Sequence, residues 1–217
     1  MSIQTIIDNA TEITFASSKV AAQTISRSGK LLTSQRSTTE PFRFVVGMHS
    51  GLSYEDNRAL LRTIDDLDIT TEEQVDIGST NSNLSWLTEY QGGITAGTIT
   101  SLGSNGANLY VDCSGGLTGS GTLFKKGDYL QPVGNTGGYR YPYMVTSDVA
   151  YSTASNVTIP VHRPVISQDG VALTSGNVNK GTSVRFYVKM VTKPTYTIVP
   201  YRRISFDTSF ELLEVVT

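Results

Sequence analysis

Residues that could support catalysis or metal binding are few in this sequence and far apart. The two histidines, His49 and His162, each lack a second histidine, a cysteine or a spaced carboxylate in a metal-binding pattern. No Gly-x-Ser-x-Gly elbow and no candidate catalytic triad is present. The sequence therefore predicts no catalytic residue, no metal site and no cofactor, and a structural or surface role for both histidines.

The glycine-rich residues 116–122 superficially resemble a phosphate-binding loop. No lysine follows Gly121 directly, and no helical pattern begins there, so the cation and the helix N-terminus that would contact a phosphate are both missing. A β-turn is the favoured interpretation. The single cysteine, Cys113, rules out an internal disulfide and is predicted to be a buried free thiol.

Six carboxylates follow one another within residues 65–76: Asp65, Asp66, Asp68, Glu72, Glu73 and Asp76. One interpretation is a solvated helix face. The other is an acidic surface that faces a negatively charged molecule without binding to it.

Tyrosines recur near the middle of the chain, at Tyr139, Tyr141 and Tyr143. Exposed aromatic rings on a small barrel can stack on sugars or bases. Ordinary packing within a strand is the alternative explanation for the same pattern.

Composition favours a β-rich protein with many turns. Charged residues make up only 17% of the 217 residues, while glycine occurs 20 times and tyrosine 11 times. The net charge of −2 gives no basic excess, which argues against sequence-independent binding to phosphate backbones. No apolar run resembles a signal peptide or is long enough to span a membrane, so we expect synthesis in a cytoplasm.

One strand–helix–strand segment organises the N-terminal half. Residues 42–48 alternate between apolar and other side chains, as in a strand with one buried face. Ser53 and Asp56 have the spacing of a capping box at a helix start. The following helix has an apolar stripe, which consists of Leu60, Leu61, Ile64 and Leu67. This stripe must pack against a sheet to be buried. Residues 74–77 form the return strand.

The remaining pattern divides the chain into two predicted domains. A hairpin around Ser28 and Gly29, the strand–helix–strand segment and the C-terminal strands at 186–216 form an outer domain, residues 1–92 and 167–217. Short strands separated by glycine-rich turns form an insertion, residues 93–166. Residues 86–90 are predicted as a short strand, residues 167–181 as a polar linker, and Ile3, Ile6 and Ile7 as a short turn or helix that docks late, for instance on a neighbour.

Several stretches resemble a known family. Residues 113–121, 124–130, 141–146 and 157–164 resemble the Gly-Thr turn, Lys-x-Gly-Asp strand, Tyr-rich strand and proline-ended strand of an OB-fold insertion in siphophage distal tail proteins. The outer part, which ends in Phe-Glu-Leu-x-Glu, is similar to the ring-forming domain of distal tail and tail-tube-like baseplate proteins. The implied fold is mainly β (α+β): a tail-tube-like β-sandwich with one flanking α-helix and an inserted small OB-like β-barrel.

This resemblance implies a structural virion protein and not an enzyme. Copies would form a homohexameric ring in a phage tail or baseplate, between the tail-tube protein and the hub or tail-tip proteins, and DNA would pass through the channel without specific binding. The six carboxylates at 65–76 would then face the lumen. The alternative function is a host-surface carbohydrate-binding module of a phage tail, with Tyr139, Tyr141 and Tyr143 as the contacts.

Overall fold

A computed structural model of the chain describes residues 3–17, 21–35, 39–77, 84–94, 98–115, 117, 119–133, 141–152, 156–166, 176–207 and 209–216. The fold is mainly β, as predicted, with several antiparallel sheets and few helices. The buried hydrophobic side chains form two clusters. Each cluster is organised by its own sheet.

The first cluster packs against a five-stranded antiparallel sheet. In spatial order its strands are β1 (Ala10–Ser17), β4 (Phe42–Met48), β18 (Phe210–Glu214), β15 (Phe186–Thr192) and β6 (Glu72–Val75). The predicted alternation is confirmed in β4, where Phe42, Phe44 and Val46 are buried. The same alternation occurs in β15, where Phe186 and Val188 are buried.

The predicted helix is present as α2 (Tyr54–Asp65), and Leu60, Leu61 and Ile64 are buried on its apolar face. Ser53 is its N-cap residue, with extended backbone angles, but its hydroxyl makes no capping hydrogen bond. The predicted capping box is therefore wrong. The carbonyl of Ser53 instead accepts a bond of 2.9 Å from the Asn57 side chain.

A second, shorter helix precedes the sheet. In α1 (Ile3–Asp8) the side chains of Ile3, Ile6 and Ile7 are buried in the first cluster. Its first turn is held by Glu73, whose carboxylate accepts a 2.6 Å hydrogen bond from the backbone N–H of Ile3. The helix thus docks on its own chain and not, as considered above, on a neighbour.

Two smaller sheets complete this part. A three-stranded sheet has the order β16 (Tyr196–Val199), β17 (Arg203–Phe206) and β5 (Leu52–Ser53). The predicted hairpin is confirmed as β2 (Ala21–Ile25) paired with β3 (Leu31–Gln35). Gly29 in its turn has a φ of 77°, a conformation that glycine adopts without strain.

The second cluster packs against a six-stranded sheet. Its spatial order is β11 (Tyr143–Met144), β10 (Tyr129–Pro132), β14 (Gly176–Lys180), β7 (Thr98–Asn105), β8 (Asn108–Gly115) and β13 (Asn156–Pro160). Its two outer strands meet through an antiparallel bridge between Val145 and Val161. Backbone bonds of 3.0 Å from Thr146 to Pro160 and from His162 to Met144 flank that bridge, so the sheet closes into a barrel.

Two local predictions are corrected by the structure, and one pair of strands was missed. Residues 176–180, predicted as part of a polar linker, form β14 and pair with both β10 and β7. The strand predicted at 86–90 is wrong, because the described structure has a 3-10 helix there, Ser85–Thr88, which belongs to none of the sheets and leaves Trp86 exposed. The antiparallel pair of β9 (Gly121–Phe124) and β12 (Val149–Tyr151) was not predicted.

Candidate functional site

The predicted acidic cluster surrounds the C-terminal end of α2 and the nearby strand β6. Asp66 forms an exposed ion pair with Arg62, at 3.2 Å. Asp68 accepts hydrogen bonds of 2.8 and 2.7 Å from the N–H and hydroxyl of Thr70, and these bonds lower the pKa of its carboxyl. Asp65 accepts a 2.9 Å bond from the hydroxyl of Tyr196.

The other three carboxylates lie on or beside the edge strand. Glu73 holds the first turn of α1, as described above. Glu72 lies opposite Lys189 of β15 in the strand register. The backbone of Asp76 exchanges two bonds with the Gln4 amide, of 2.7 and 2.8 Å. Much of the cluster therefore stabilises local structure.

A cavity of about 310 Å³ opens among these residues. Its apolar lining comes from Ile3 and Leu67, and its polar lining comes from Asp66, Asp68, Glu73 and Thr71. Among the described residues no group of three or more histidines, cysteines or carboxylates has the geometry to hold a metal ion. The cavity is thus lined by both acidic and apolar side chains.

The tyrosines that the structure describes do not form an exposed binding surface. Tyr139 lies outside the described residues. Tyr141 and Tyr143 are only 4% and 2% exposed. The Tyr143 hydroxyl accepts a 2.9 Å bond from the N–H of Ile166, and burial raises its pKa to about 12. Neither ring presents a face on which a sugar could stack, which argues against their predicted glycan contact.

A buried ion pair that was not predicted lies elsewhere in the described structure. The guanidinium of Arg163 binds both carboxylate oxygens of Glu214, at 2.6 and 2.7 Å, and both side chains are fully buried. Arg163 also donates to the carbonyl oxygens of Thr39, Glu40 and Pro142, at 3.0, 3.1 and 2.9 Å. This bidentate geometry is the strongest that an arginine and a carboxylate can form.

Aromatic rings enclose this ion pair. The guanidinium carbon lies 5.2 Å from the ring centre of Phe42 and 5.3 Å from that of Tyr143. Glu214 accepts a further bond of 2.9 Å from the N–H of Phe42. Burial raises the pKa of Glu214, while the guanidinium and this N–H favour its ionised form.

The ion pair joins the barrel to the first sheet. Arg163 follows β13 of the barrel, whereas Glu214 ends β18. The same joint includes Tyr129 of β10, whose ring lies 5.2 Å from that of Phe15 in β1. The side-chain amide of Gln131 bonds the backbone N–H and carbonyl of Arg185, at 3.0 and 2.9 Å. One feature of the sequence could have indicated this buried ion pair. Glu214 lies on the buried side of a strand whose other inward residues, Phe210 and Leu212, are apolar.

His162 lies in this joint beside Arg163. Its Nδ1 accepts a 3.0 Å bond from the N–H of Met144, and its ring is 4.7 Å from the Phe42 ring. Burial and the neighbouring guanidinium lower its pKa to about 3. The histidine is therefore neutral over the physiological pH range and acts as a packing residue.

The remaining sequence motifs also have structural places. The glycine-rich loop leads into strand β9 and not into a helix, so it lacks the geometry of a phosphate loop. Cys113 is buried, as predicted, and burial raises the pKa of its thiol.

Comparison with known proteins adds no assignment. No protein-family model matches this chain, and no curated protein matches it in sequence. Within the described residues, none of the helices has the length and hydrophobicity needed to cross a membrane.

Proposed function

We propose that this protein is a structural component of a bacteriophage tail or baseplate, in which its copies form a ring around a channel for DNA. The proposal starts from the resemblance of residues 113–164 and of the C-terminal strands to distal tail proteins. It assigns the protein to the virion, in contact with the tail-tube protein and the hub or tip proteins. It assigns no catalytic reaction to the chain.

The observation that supports this proposal best is the arrangement of strand edges. Strands β1 and β6 are the outer strands of the first sheet, and β16 is an outer strand of the three-stranded sheet. Outer strands present backbone N–H and C=O groups that can pair with another chain. A ring of identical copies is a common way to satisfy such edges, because a closed ring leaves none of them open.

Charge is compatible with a DNA channel. The chain has a net charge of −2, and six carboxylates lie around the end of α2 and β6. A channel wall of this sign would let DNA pass without adhering. That these carboxylates face the lumen is a prediction of the resemblance.

The alternative, a carbohydrate-binding module, has less support. It was based on Tyr139, Tyr141 and Tyr143, and two of these rings are buried. A glycan array probed with the full-length protein would test it directly. Specific binding to one class of glycan would favour this alternative.

The size of the purified protein tests the ring. Analytical ultracentrifugation over a wide concentration range, followed by negative-stain electron microscopy, should show a closed ring of six copies. A protein that stays monomeric at the highest concentration, with no rings on the grid, would contradict the proposal.

A further inference from the structure

The β2–β3 hairpin forms a sheet of its own. Among the described strands, β2 and β3 pair only with each other. A two-stranded hairpin alone is at best marginally stable in water. A contact with a second copy would therefore stabilise it.

The end of this hairpin carries an apolar pair and two positive charges. Ile25 lies directly opposite Leu31 in the register, and these side chains are 73% and 61% exposed. Arg27 and Lys30 lie in the turn between them and are exposed too. Together Ile25 and Leu31 form a small exposed apolar patch of the kind that a protein partner can cover.

Charge is strongly segregated along the chain. Residues 13–39, which include the hairpin, contain Lys19, Arg27, Lys30 and Arg36 and no acidic residue. Residues 63–124 contain no lysine or arginine, and they begin with the six carboxylates of which Asp66, Asp68 and Glu73 line the cavity. Bases lie near this cluster in space, since Arg62 pairs with Asp66 and Lys189 lies opposite Glu72, but none of them lines the cavity.

The cavity is complementary to the end of the hairpin in apolar surface and in charge. Ile3 and Leu67 offer apolar contact, and Asp66, Asp68 and Glu73 offer negative charge. The exposure of Ile25 and Leu31 means that the hairpin does not occupy the cavity of its own chain. A second copy is the partner whose chemistry is complementary on both counts.

We propose that the β2–β3 hairpin of one copy docks into the acidic cavity beside α1 and α2 of the next copy. Such a contact joins two different surfaces, so it is head-to-tail and builds a ring or a filament. The inference rests on the proposed ring and specifies which surfaces form it. It replaces the lumen-facing role of Asp66, Asp68 and Glu73 by a contact between copies.

Charge reversal tests the contact. In R27E/K30E both changes are at exposed positions of the turn, so the fold should be retained. We expect the dissociation constant for self-association to rise at least about tenfold, because like charges then meet across the interface. K125E/K126E, at exposed residues of the barrel, makes the same change in net charge and should assemble like the wild type.

A mixing experiment separates this contact from a folding defect. D66K/D68K reverses charge at the cavity, and alone it should assemble as poorly as R27E/K30E. Equal amounts of the two variants should assemble together, because each hairpin then finds a cavity of opposite charge. Mass photometry of each variant and of the mixture gives the readout.

The outcomes distinguish this inference from the proposed function. Rings of wild-type size in R27E/K30E, or no recovery in the mixture, would overturn the hairpin contact and leave the ring proposal intact. A wild-type protein that never self-associates would overturn the ring itself.

Discussion

Arg163 and Glu214 place two opposite charges where water has no access. Removing two ions from water has a large free-energy cost, which their attraction offsets only with full hydrogen bonding. Here the pair is bidentate and three further carbonyl groups accept from the guanidinium, while the buried Nε of Arg163 has no hydrogen-bond partner among the described residues. Such a pair adds little net stability over an apolar core, but breaking it leaves an unpaired buried charge.

Removal of either Arg163 or Glu214 should therefore destabilise the folded protein. For Arg163→Met we expect the free energy of unfolding to fall by about 3–5 kcal/mol, because Glu214 would stay buried without its counter-ion. The double variant R163M/E214L should recover part of that loss, since no charge is then buried. Urea denaturation followed by circular dichroism measures both.

An exposed pair on the same sheet provides a matched control. Arg43 and Glu211 are bonded at 2.7 Å, but their side chains are 51% and 27% exposed. We expect Arg43→Met to cost less than about 1 kcal/mol. An equal cost for both arginine variants would contradict the assigned role of Arg163.

Protonation of His162 should make the fold sensitive to acid. Its pKa is about 3 in the folded protein, below the ordinary value of 6.5, so the unfolded chain binds a proton first as the pH falls. Its contribution to stability is complete above pH 6.5 and is lost as the pH falls toward 3. One such proton changes the free energy of unfolding by at most about 1.4 kcal/mol per pH unit.

The variant His162→Gln removes this titration. Its free energy of unfolding should fall less steeply than that of the wild type between pH 6.5 and 3. Equal slopes for wild type and H162Q would contradict the assignment of His162 as a partly buried, neutral histidine.

At the scale of elements, α2 shows how packing outweighs capping. The helix begins at the predicted position although the Ser53 hydroxyl makes no capping bond. Its apolar face is buried against the first sheet and against α1. Most of the stability of a short helix in a protein comes from such packing.

Two substitutions, at the N-cap of this helix and on its apolar face, should differ sharply in their effect on the free energy of unfolding. Ser53→Ala should change the free energy of unfolding by less than about 0.5 kcal/mol, below the usual effect of about 1 kcal/mol for a capping serine. Leu61→Ala removes a side chain that is 3% exposed. It should cost about 2–5 kcal/mol. Thermal denaturation compares them, and a large cost for S53A would show a capping bond in solution.

At the scale of the whole molecule, the two cores depend on each other. Strand β14 comes after residues 167–175 in the chain but lies between β10 and β7 in the barrel. Tyr129 of the barrel is in turn buried in the first cluster. The barrel is thus tied to the first sheet by strand order as well as by the buried ion pair.

Fragments should reveal this dependence. A fragment of residues 93–166 lacks β14, so the barrel would open between β10 and β7 and the fragment should not fold. Residues 84–185 restore that strand and should show more β structure. Circular dichroism and amide hydrogen exchange compare the two fragments with the full chain. A folded 93–166 fragment would contradict the place of β14.

Local pattern was sufficient for much of this architecture. The alternation in β4, the stripe on α2 and the hairpin turn at Gly29 each depend on neighbours in sequence, and all were predicted correctly. The six acidic residues were predicted as a cluster from their spacing alone. Their nearness to the apolar side chain of Ile3 required the fold.

Other features were decided by contacts between distant residues. Residues 176–180 carry few apolar side chains and read as a linker, yet two neighbouring strands supply their backbone partners. Tyr141 and Tyr143 could have been exposed or buried until the barrel was packed against the first sheet. The Arg163–Glu214 pair joins residues that are far apart in sequence, and a buried charge is stable only when its partner is brought to it by the folded chain.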